Sequence, residues 1–509
     1  MPIRMRKDPD QPNNSGGGGN YRGRSGGGRG IISMLLPLLI RNPKLLIPLL
    51  LIFGAIYFFG GKETAVNVAS MVFSTGATLD PVQFDRAKIY EPIINDPSNP
   101  LPVRVSLAQY APQRLNQGQQ GSCVAWSSAY AARTILESSA SGKDPNTVRF
   151  SPSFLYNQIK LQGCQGSYII RAMEKMTEQG SVPYSDFAYT DENCNNMPDQ
   201  SLIQQAGQFK MKGFNRLTKG DNVQALDLNG IRQNLAQGAP VVIGMMVGGS
   251  FMTDMKGKNK WTPQERDYQM AGFGGHAMAV IGYDDEMDGE GAFQIMNSWG
   301  DDWGNNGLAW VSYRDFMYFT KEAYALFPMG RRIDNPEKFE MRIGLLLNTQ
   351  KQYIPLTKEN DFTYRTQSPL TPGTLFKIEV TNNLDCYTYV FGQETDGSSY
   401  VLFPYTEKHS AYCGIVGTRL FPRDYSMELD DLGRQDKMAI IVSKQALNYK
   451  QLNNAFNQAK GNDFEDKIQN ALQNEIITDF QSSAGKQVSI VANSPQKNTL
   501  AIVIAIDKE

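Results

Sequence analysis

The 509-residue sequence predicts an α+β domain followed by a β-rich domain, with a membrane anchor ahead of both. Three observations support this prediction. The length corresponds to two or three folded units at roughly 150 residues each. Residues 104–330 mix helical periodicity with short apolar strands, whereas strands dominate residues 331–509. Residues 31–61 are largely apolar.

The N-terminal tail, residues 1–30, is mostly polar. Its stretch 8–30 is rich in Gly, Asn and Arg and contains almost no apolar side chain. This composition cannot offset the entropy lost on ordering a backbone, so we expect the tail to be disordered. Its Arg and Gly content would also suit nucleic-acid binding, but one short tract with a single Tyr21 favours a solvated tail and no nucleic-acid partner.

Two apolar runs, 31–40 and 45–59, form the predicted anchor within residues 31–61. The second run would reach about 22 Å as a helix, and flanking lysines extend it toward the roughly 30 Å of a hydrocarbon core. Residues 1–44 carry eight Lys and Arg against two Asp and Glu. The positive-inside rule therefore predicts a single-pass protein of the cell membrane, with a cytoplasmic N-terminus and residues after 62 in the periplasm or outside the cell. A cleavable signal peptide is the alternative, although no Ala-x-Ala site follows the run.

Residues 62–103 contain scattered Pro, Asn and Asp without sustained periodicity and are interpreted as a linker. The segment 104–330 then shows the alternating helical and strand patterns of an α+β domain. Helices are predicted at 124–138, 152–161, 166–179 and 230–237, and strands at 241–247, 277–283 and 292–296.

Beyond residue 331 the pattern changes to that of a β-rich domain, residues 331–509. No pair of nucleophile and base is visible there, so we expect this domain to bind a protein partner or to pack on its neighbour. The predicted strands are 341–348, 375–381, 387–393, 399–404, 438–443, 488–492 and 500–506, with an amphipathic helix near 450–472.

The composition limits the chemistry that the chain can perform. It has two histidines, His276 and His409, and its five cysteines include no CxxC pair. A His-rich metal site and structural zinc are therefore not expected, and no cofactor is predicted.

Cys123 is the first candidate catalytic residue. It precedes a helical run, VAWSSAYAARTILE, and the dipole at a helix N-terminus favours a thiolate. A lone cysteine at a helix start is more often buried and inert. However, His276 begins an apolar strand and Asn297 follows the next one, so a hairpin would place these two side by side. A base with its orienting residue is what a cysteine nucleophile requires.

Four motifs in this order resemble the papain-like cysteine peptidases over about residues 104–325. They are Gln-Gly-x-x-Gly-Ser-Cys, Gly-Cys-Gln-Gly, Gly-His-Ala and Asn-Ser-Trp-Gly, which start at residues 117, 163, 275 and 297. The resemblance implies a papain-like, two-lobed fold and hydrolysis of peptide bonds through a thioester intermediate. It also implies that Cys123 is the nucleophile, His276 the general acid and base, and Asn297 the residue that orients the imidazole.

The same resemblance implies roles for four further residues. Gln117 would donate a hydrogen bond to the oxyanion, where loss of one donor costs about 2.7–4 kcal/mol of barrier. Gly166 and Ser167 would line the substrate cleft, with Ser167 in place of a family glycine. Trp299 would shield the bond between the histidine and the asparagine from water.

The cysteines depart from the family pattern. Gln120 stands where the family usually has a cysteine, which leaves Cys164 without its usual partner, and Cys194 has lost its partner in the same way. In the β-rich domain two cysteines near strand ends would close a loop of similar length. The predicted bridges are Cys164–Cys194 and Cys386–Cys413, with Cys123 as the only free thiol. No long helical propeptide fits between the anchor and residue 104.

The predicted function is a membrane-anchored cysteine endopeptidase that acts on a peptide or protein substrate. The same site would serve another thiol acyl-transfer enzyme, such as a cell-wall amidase or transpeptidase. A catalytically silent papain-like binding module is the third alternative.

Residues 370–445 resemble a small bacterial domain of unknown function that accompanies peptidases.

Overall fold

The computed structural model describes residues 2–8, 75–94, 100–327, 338–348, 352–461, 463–493 and 497–509. The predicted anchor, residues 31–61, lies outside the described residues, as do residues 9–30 of the tail. Within the described ranges, no helix is both long and apolar enough to cross a membrane.

The first part of the molecule is built on a mixed sheet that we call the central sheet. Its middle strand is Gly274–Asp284, in which residues 276–283 are all buried because the sheet is covered on both faces. The neighbouring strands run in the order Phe214–Arg216, Thr320–Leu326, Val241–Val247, Gly274–Asp284, Ala292–Met296, Leu308–Ser312 and Lys260–Trp261, and Arg104–Ser106 pairs with Gly274–Asp284.

A long buried helix begins at Cys123 and packs against the central sheet. It continues through Cys123–Ala125, the π-wound stretch Trp126–Arg133 and Thr134–Ser141, and it ends at Gly142, whose φ of 70° is left-handed. The start of this helix contacts the middle strand of the central sheet at Cys123. Helices and a sheet together form this part of the molecule, in agreement with the expected α+β fold. The other helices of this part are Pro81–Asp85, Pro152–Ile159, Ile169–Glu178, Gln200–Ala206, Leu228–Ala236, Gly249–Thr253 and Tyr313–Phe319.

The C-terminal domain is β-rich, as the strand pattern predicts, and consists of two sheets packed face to face. One contains, in order, Ile3–Lys7, Tyr425–Leu429, Leu375–Asn382, Lys338–Leu347, Val488–Asn493 and Gln481–Ser483, with Tyr353–Ile354 and Gly417–Phe421 attached. The other contains Leu356–Lys358, Thr363–Thr366, Thr499–Asp507, Gln435–Ser443, Cys386–Gln393 and Ser399–Phe403, with Tyr412–Cys413 attached. The helices are Tyr449–Gln458 and Phe464–Leu472.

Alternation along Thr499–Asp507 shows how the C-terminal domain is layered. Leu500, Ile502, Ile504 and Ile506 face the core between the two sheets. The residues between them, 501 and 503, face a smaller core under the two helices. This strand therefore has no solvent-facing side, which explains its unbroken apolar sequence.

The prediction of a disordered tail is wrong for residues 2–8. The strand Ile3–Lys7 pairs antiparallel with Tyr425–Leu429. Ile3 is buried and its N–H donates to Tyr400 Oη at 3.0 Å. Asp8 forms an ion pair with the buried Lys377 at 2.6 Å. The low apolar content that predicts disorder belongs to the Gly-rich stretch after residue 8. Residues 3–7 are ordered because they form backbone hydrogen bonds with a neighbouring strand.

The interpretation of 62–103 as a linker is wrong for residues 75–94, which we call the strap. Its short helix Pro81–Asp85 is capped by Asp80, whose side chain accepts a hydrogen bond from the Val82 N–H at 2.8 Å. Phe84 is fully buried, and so are Ile89 and Tyr90. These apolar residues lack helical or strand spacing, because they contact different parts of the surface beneath the strap.

One of the two predicted disulfides is confirmed. Cys164 and Cys194 are bonded, with their Cα atoms 6.1 Å apart. The predicted bridge Cys386–Cys413 is wrong, because both cysteines are free, as is Cys123. Cys386 and Cys413 are opposite each other on neighbouring strands, and Cys413 Sγ lies 3.4 Å from Thr388 Oγ1. Both thiols are therefore buried side by side, and Cys413 has a hydroxyl partner.

Candidate active site

The Cys123 thiol lies at the start of the long helix and is fully buried. Its Sγ accepts hydrogen bonds from the N–H groups of Ala277 at 3.4 Å and Gly76 at 3.2 Å. Ala277 directly follows His276 on the middle strand of the central sheet. The thiol is thus enclosed by the helix, the sheet and the strap.

His276 and Asn297 are adjacent, as the hairpin predicts. Nε2 of His276 lies 2.7 Å from Oδ1 of Asn297. Because Oδ1 can only accept, Nε2 carries a proton, and Nδ1 is the acceptor of the neutral imidazole. Nδ1 is buried without a hydrogen-bond partner among the described residues. The Trp299 indole stacks on the His276 ring with the centroids 4.4 Å apart, so it covers this pair.

Gln117 is fully buried next to the start of the long helix. Its Nε2 donates to the carbonyl of Gln120 at 2.9 Å, and its Oε1 accepts from Ser298 Oγ at 2.6 Å. These contacts fix the amide between the loop before Cys123 and the turn after Asn297.

The strap occupies the cleft beside Cys123 in an extended conformation. The Ser167 N–H donates to the carbonyl of Gly76 at 2.8 Å, and the Thr78 N–H donates to the carbonyl of Ser167 at 2.9 Å. The Ala77 N–H donates to the carbonyl of Gly275 at 3.0 Å. Residues 77 and 167 therefore form a parallel bridge. Ser167, expected in the substrate cleft, contacts this segment through its backbone.

Glycines allow the strap to approach the cleft closely. A Cβ atom on Gly76 would lie 2.0 Å from the carbonyl oxygen of Gly121. A Cβ atom on Gly166, whose φ is 91°, would lie 2.3 Å from the carbonyl oxygen of Gly76. Only glycine fits at either position without moving the backbone.

Leu79 fills a pocket in the wall of the cleft. Its side chain packs so closely on the central sheet that a Cβ atom on Gly244 would lie 2.4 Å from Leu79 Cδ2. Glu322 is buried beside this pocket and accepts hydrogen bonds from the Asp80 N–H at 2.9 Å and from Tyr324 Oη at 3.1 Å. Burial raises the pKa of the Glu322 carboxyl to about 7.

Burial also sets the protonation state of the two reactive groups. It raises the pKa of the Cys123 thiol to about 11, against the opposing effect of hydrogen bonds from the Ala277 and Gly76 N–H groups. It lowers the pKa of the His276 imidazole to about 4, against the opposing effect of Asn297. Both groups are therefore neutral at pH 7 in the covered cleft. The helix N-terminus favours a thiolate, as expected, but desolvation outweighs it here.

Sequence reasoning missed the strap and the carbonyl of Gly275. Gly275 lies within the Gly-His-Ala motif, so the motif itself could have identified it. The strap has no comparable signal, because its contacts with the cleft are made mainly by backbone atoms.

Two family models match this chain. The model of the papain family cysteine proteases matches residues 104–325. The model of a domain of unknown function (DUF4384) matches residues 369–446.

Similar proteins include two curated relatives and one solved structure. Mouse cathepsin K is 29% identical over 199 residues, which cover 38% of this chain and 54% of cathepsin K. An uncharacterized peptidase C1-like protein of Acanthamoeba polyphaga mimivirus is 28% identical over 219 residues, which cover 41% of this chain and 67% of that protein. The chain therefore spans between about half and two thirds of the length of these relatives. The solved structure is the crystal structure of xylellain, a cysteine protease from Xylella fastidiosa. Its sequence is 24% identical to this chain, the TM-score is 0.41, and the match covers 50% of this chain and 96% of the xylellain chain.

Proposed function

Because residues 104–325 form a papain family cysteine protease domain, we propose that this chain is a cysteine endopeptidase that hydrolyses peptide bonds of peptides or proteins. The observation that carries the proposal is the extended main chain of residues 76–78 next to Cys123, held by backbone groups of Ser167 and Gly275. A cleft that pairs with main-chain N–H and carbonyl groups can hold an extended polypeptide, whatever its side chains.

In the proposed reaction, His276 takes the thiol proton and Cys123 Sγ attacks the scissile carbonyl carbon. When the tetrahedral intermediate collapses, the C–N bond breaks and His276 gives its proton to the leaving amine. Water then attacks the thioester, loses a proton to His276 and releases the acid, and the thiol is restored. Asn297 keeps the imidazole oriented, and Gln117 and the Cys123 N–H donate to the oxyanion.

Replacing the nucleophile tests this function. Cys123→Ala should abolish hydrolysis of fluorogenic peptides, both in the wild-type chain and in a Gly76→Ala chain, whose added methyl group cannot fit beside Gly121. Cys386→Ala is the matched control, since it removes a buried free thiol from the core of the C-terminal domain and should leave hydrolysis by the Gly76→Ala chain unchanged. Equal hydrolysis in the Cys123→Ala chain would disprove the proposal.

We also propose that residues 31–61 attach the chain to a membrane, on the basis of their apolar sequence. The pairing of Ile3–Lys7 with Tyr425–Leu429 puts residues before and after this segment in one sheet. In the proposed arrangement both flanks of residues 31–61 lie on one side of the membrane, because a single crossing would separate the two paired strands. The single-pass orientation expected from the charge asymmetry is the alternative.

Epitope tags at the two ends of the chain test this arrangement. In sealed membrane vesicles of known orientation, antibodies should reach both tags or neither. A tag at residue 1 that is protected while a tag at residue 509 is accessible would restore the single-pass orientation.

A further inference from the structure

The strap connects the catalytic cleft to the C-terminal domain. Its first residues, 75–80, lie against Cys123, Ser167 and Gly275. Its last residues, 89–94, bind the C-terminal domain through the backbone of residues 408–410 and 418 and through the side chain of Arg419. The proposed hydrolysis of peptide bonds does not by itself explain why the strap connects the cleft to the C-terminal domain.

The cleft end of the strap excludes an extended substrate. The N–H of Ser167, its carbonyl and the carbonyl of Gly275 are all bonded to strap residues 76–78. Gly76 lies directly on the thiol. A second polypeptide cannot use these groups until the strap has left.

The strap meets the thiol through a backbone N–H group. The atom placed 3.2 Å from Cys123 Sγ is the nitrogen of Gly76, which donates a hydrogen bond, whereas attack requires a carbonyl carbon. In this arrangement the strap occupies the cleft through a hydrogen bond to the thiol and not through a carbonyl group in hydrogen-bond contact with it.

The far end is held by backbone hydrogen bonds that span the two parts of the molecule. The Ile89 N–H donates to the carbonyl of Lys408 at 2.7 Å, and the Ser410 N–H donates to the carbonyl of Ile89 at 3.2 Å. The Ile94 N–H donates to the carbonyl of Thr418 at 2.8 Å, and Arg419 Nε donates to the carbonyl of Glu91 at 3.0 Å. The C-terminal domain thus grips the strap over residues 89–94. The other side of this stretch contacts the first part of the molecule, where the Tyr90 N–H donates to the carbonyl of Arg216 at 3.1 Å and the Ile93 N–H donates to Gln233 Oε1 at 3.1 Å.

The middle of the strap links the two ends firmly. The capped helix Pro81–Asp85 follows the cleft residues directly, and its buried Phe84 packs edge to face on Tyr324. Asp85 then binds Lys408 of the C-terminal domain at 2.7 Å and the buried Arg216 of the central sheet at 2.5 Å. A short, ordered stretch of chain that contacts both parts of the molecule therefore joins the cleft residues to the gripped residues.

We propose that the C-terminal domain is a regulatory domain, which keeps the catalytic cleft closed by gripping residues 89–94 of the strap and opens it by releasing them. This assigns a role to the region matched by the domain of unknown function. The proposal rests on the proposed function, since a closed cleft matters only if the site binds polypeptides.

Two variants of the full-length chain test the proposal, one at each end of the strap. Gly76→Ala puts a methyl group against the carbonyl of Gly121 and should expel the cleft end. Ile89→Asp buries a carboxylate at a position that is 1% exposed and should break the grip, although it lies thirteen residues from Gly76. Each has a matched control. A Cβ atom on Gly207 meets nothing within 4 Å, and Val82 of the strap is 72% exposed, so Gly207→Ala and Val82→Asp should leave the strap in place.

The readout is the rate at which iodoacetamide alkylates Cys123, measured by mass spectrometry of the peptide that contains it. The rate follows the fraction of molecules in which the cleft is open. We expect an increase of at least about tenfold in both test variants and rates within about twofold of wild type in both controls. If Ile89→Asp does not fold, as judged by circular dichroism, Ile89→Thr replaces it, because it weakens the same packing without a charge.

The outcomes separate this proposal from the proposed function. Unchanged alkylation in Gly76→Ala would show that the strap does not close the cleft. Faster alkylation in Gly76→Ala without faster alkylation in the Ile89 variant would show that the C-terminal domain does not control it. Faster alkylation in both without peptide hydrolysis would support the regulatory domain and disprove the peptidase.

Discussion

At the scale of single residues, the reactive groups are in an uncharged, covered state. The Cys123 thiol has a pKa of about 11 and the His276 imidazole a pKa of about 4, both because of burial. A cysteine nucleophile works as a thiolate next to an imidazolium. Removing the strap exposes both groups to water and relieves the desolvation that keeps them neutral. The cover therefore lowers reactivity through protonation as well as through exclusion of substrate.

The pH dependence of Cys123 alkylation follows from this state. A raised thiol pKa means that the thiolate fraction grows about tenfold per pH unit until the pH approaches 11. We expect the alkylation rate of the wild-type chain to rise steadily between pH 6 and pH 10. In Gly76→Ala the rise should begin at lower pH and level off earlier, because the thiol is solvated. A wild-type rate that levels off near neutral pH would contradict the covered state.

Gln117 provides a prediction for the oxyanion. Because its amide is fixed by Gln120 and Ser298, Gln117→Ala should remove a positioned donor without moving the thiol. Steady-state kinetics in the Gly76→Ala background should show kcat lowered by roughly 10²–10³ with little change in KM. Gln119→Ala, on the exposed side of the same loop, is the control. A change confined to KM would remove Gln117 from the oxyanion site.

At the scale of elements, two segments assigned to a tail and a linker are integral parts of the fold. The strand Ile3–Lys7 extends a sheet of the C-terminal domain, and the strap lies across the cleft beside Cys123. Both are held mainly by backbone hydrogen bonds. One further helix differs from expectation, since the amphipathic pattern near 450–472 is divided into Tyr449–Gln458 and Phe464–Leu472, and Asp463 caps the second.

The N-terminal strand has an ionic anchor that can be tested. Lys377 Nζ is bound by Asp8 and by three backbone carbonyls, and its side chain is 6% exposed. Asp8→Ala leaves this buried ammonium without its carboxylate and should lower the free energy of unfolding by roughly 1–3 kcal/mol. Arg6→Ala removes an exposed pair with Glu428 from the same strand and should cost less than about 1 kcal/mol. Equal losses in urea denaturation would mean that Asp8 does not anchor the strand.

At the scale of the whole molecule, the C-terminal domain is both a partner of the strap and a separately stabilised unit. Its two sheets enclose one core and its helices cover another. Near the chain end it holds a buried ionic cluster, in which Lys508 Nζ lies 2.8 Å from Asp430 and 2.7 Å from Asp436. If this domain grips the strap, its integrity determines whether the cleft is closed.

The buried cluster predicts how stability depends on pH. Lys508→Met leaves two carboxylates unpaired and should lower the free energy of unfolding by about 3–5 kcal/mol at pH 8. Burial raises the folded-state pKa of Asp436 to about 6, above its value of 3.8 when exposed. Below this pKa the Asp436 carboxyl is protonated, and its neutral form is tolerated in the buried cluster. As the pH rises through about 6 the carboxyl ionises in the folded state, and the free energy of unfolding falls. The loss caused by Lys508→Met should therefore be smaller at pH 5 than at pH 8. Lys450→Met, which removes an exposed pair with Glu407, should cost less than about 1 kcal/mol at both pH values.

The sequence by itself determined the arrangement that depends on local pattern and spacing. Helical periodicity after Cys123, apolar strands around His276 and Asn297, and the unbroken apolar run of 500–506 all report the burial of side chains. Two unpaired cysteines in one domain also predicted the bridge Cys164–Cys194. In each case the information lies in side chains, which is what a sequence records.

Only the tertiary structure decided what covers the site and what completes the sheets. Gly76 meets Cys123 across 47 residues of chain, and Ile3 meets Leu429 across more than 400. The Gly76 N–H meets the Cys123 thiol, and the two strands pair through N–H and carbonyl groups. Almost every residue has these backbone groups, so no residue type or spacing marks the segments that make the contacts. Strand pairing also places Cys386 opposite Cys413, yet both are free thiols, which their sequence positions do not indicate. Long-range backbone pairing is thus the part of this protein that its sequence pattern could not reveal.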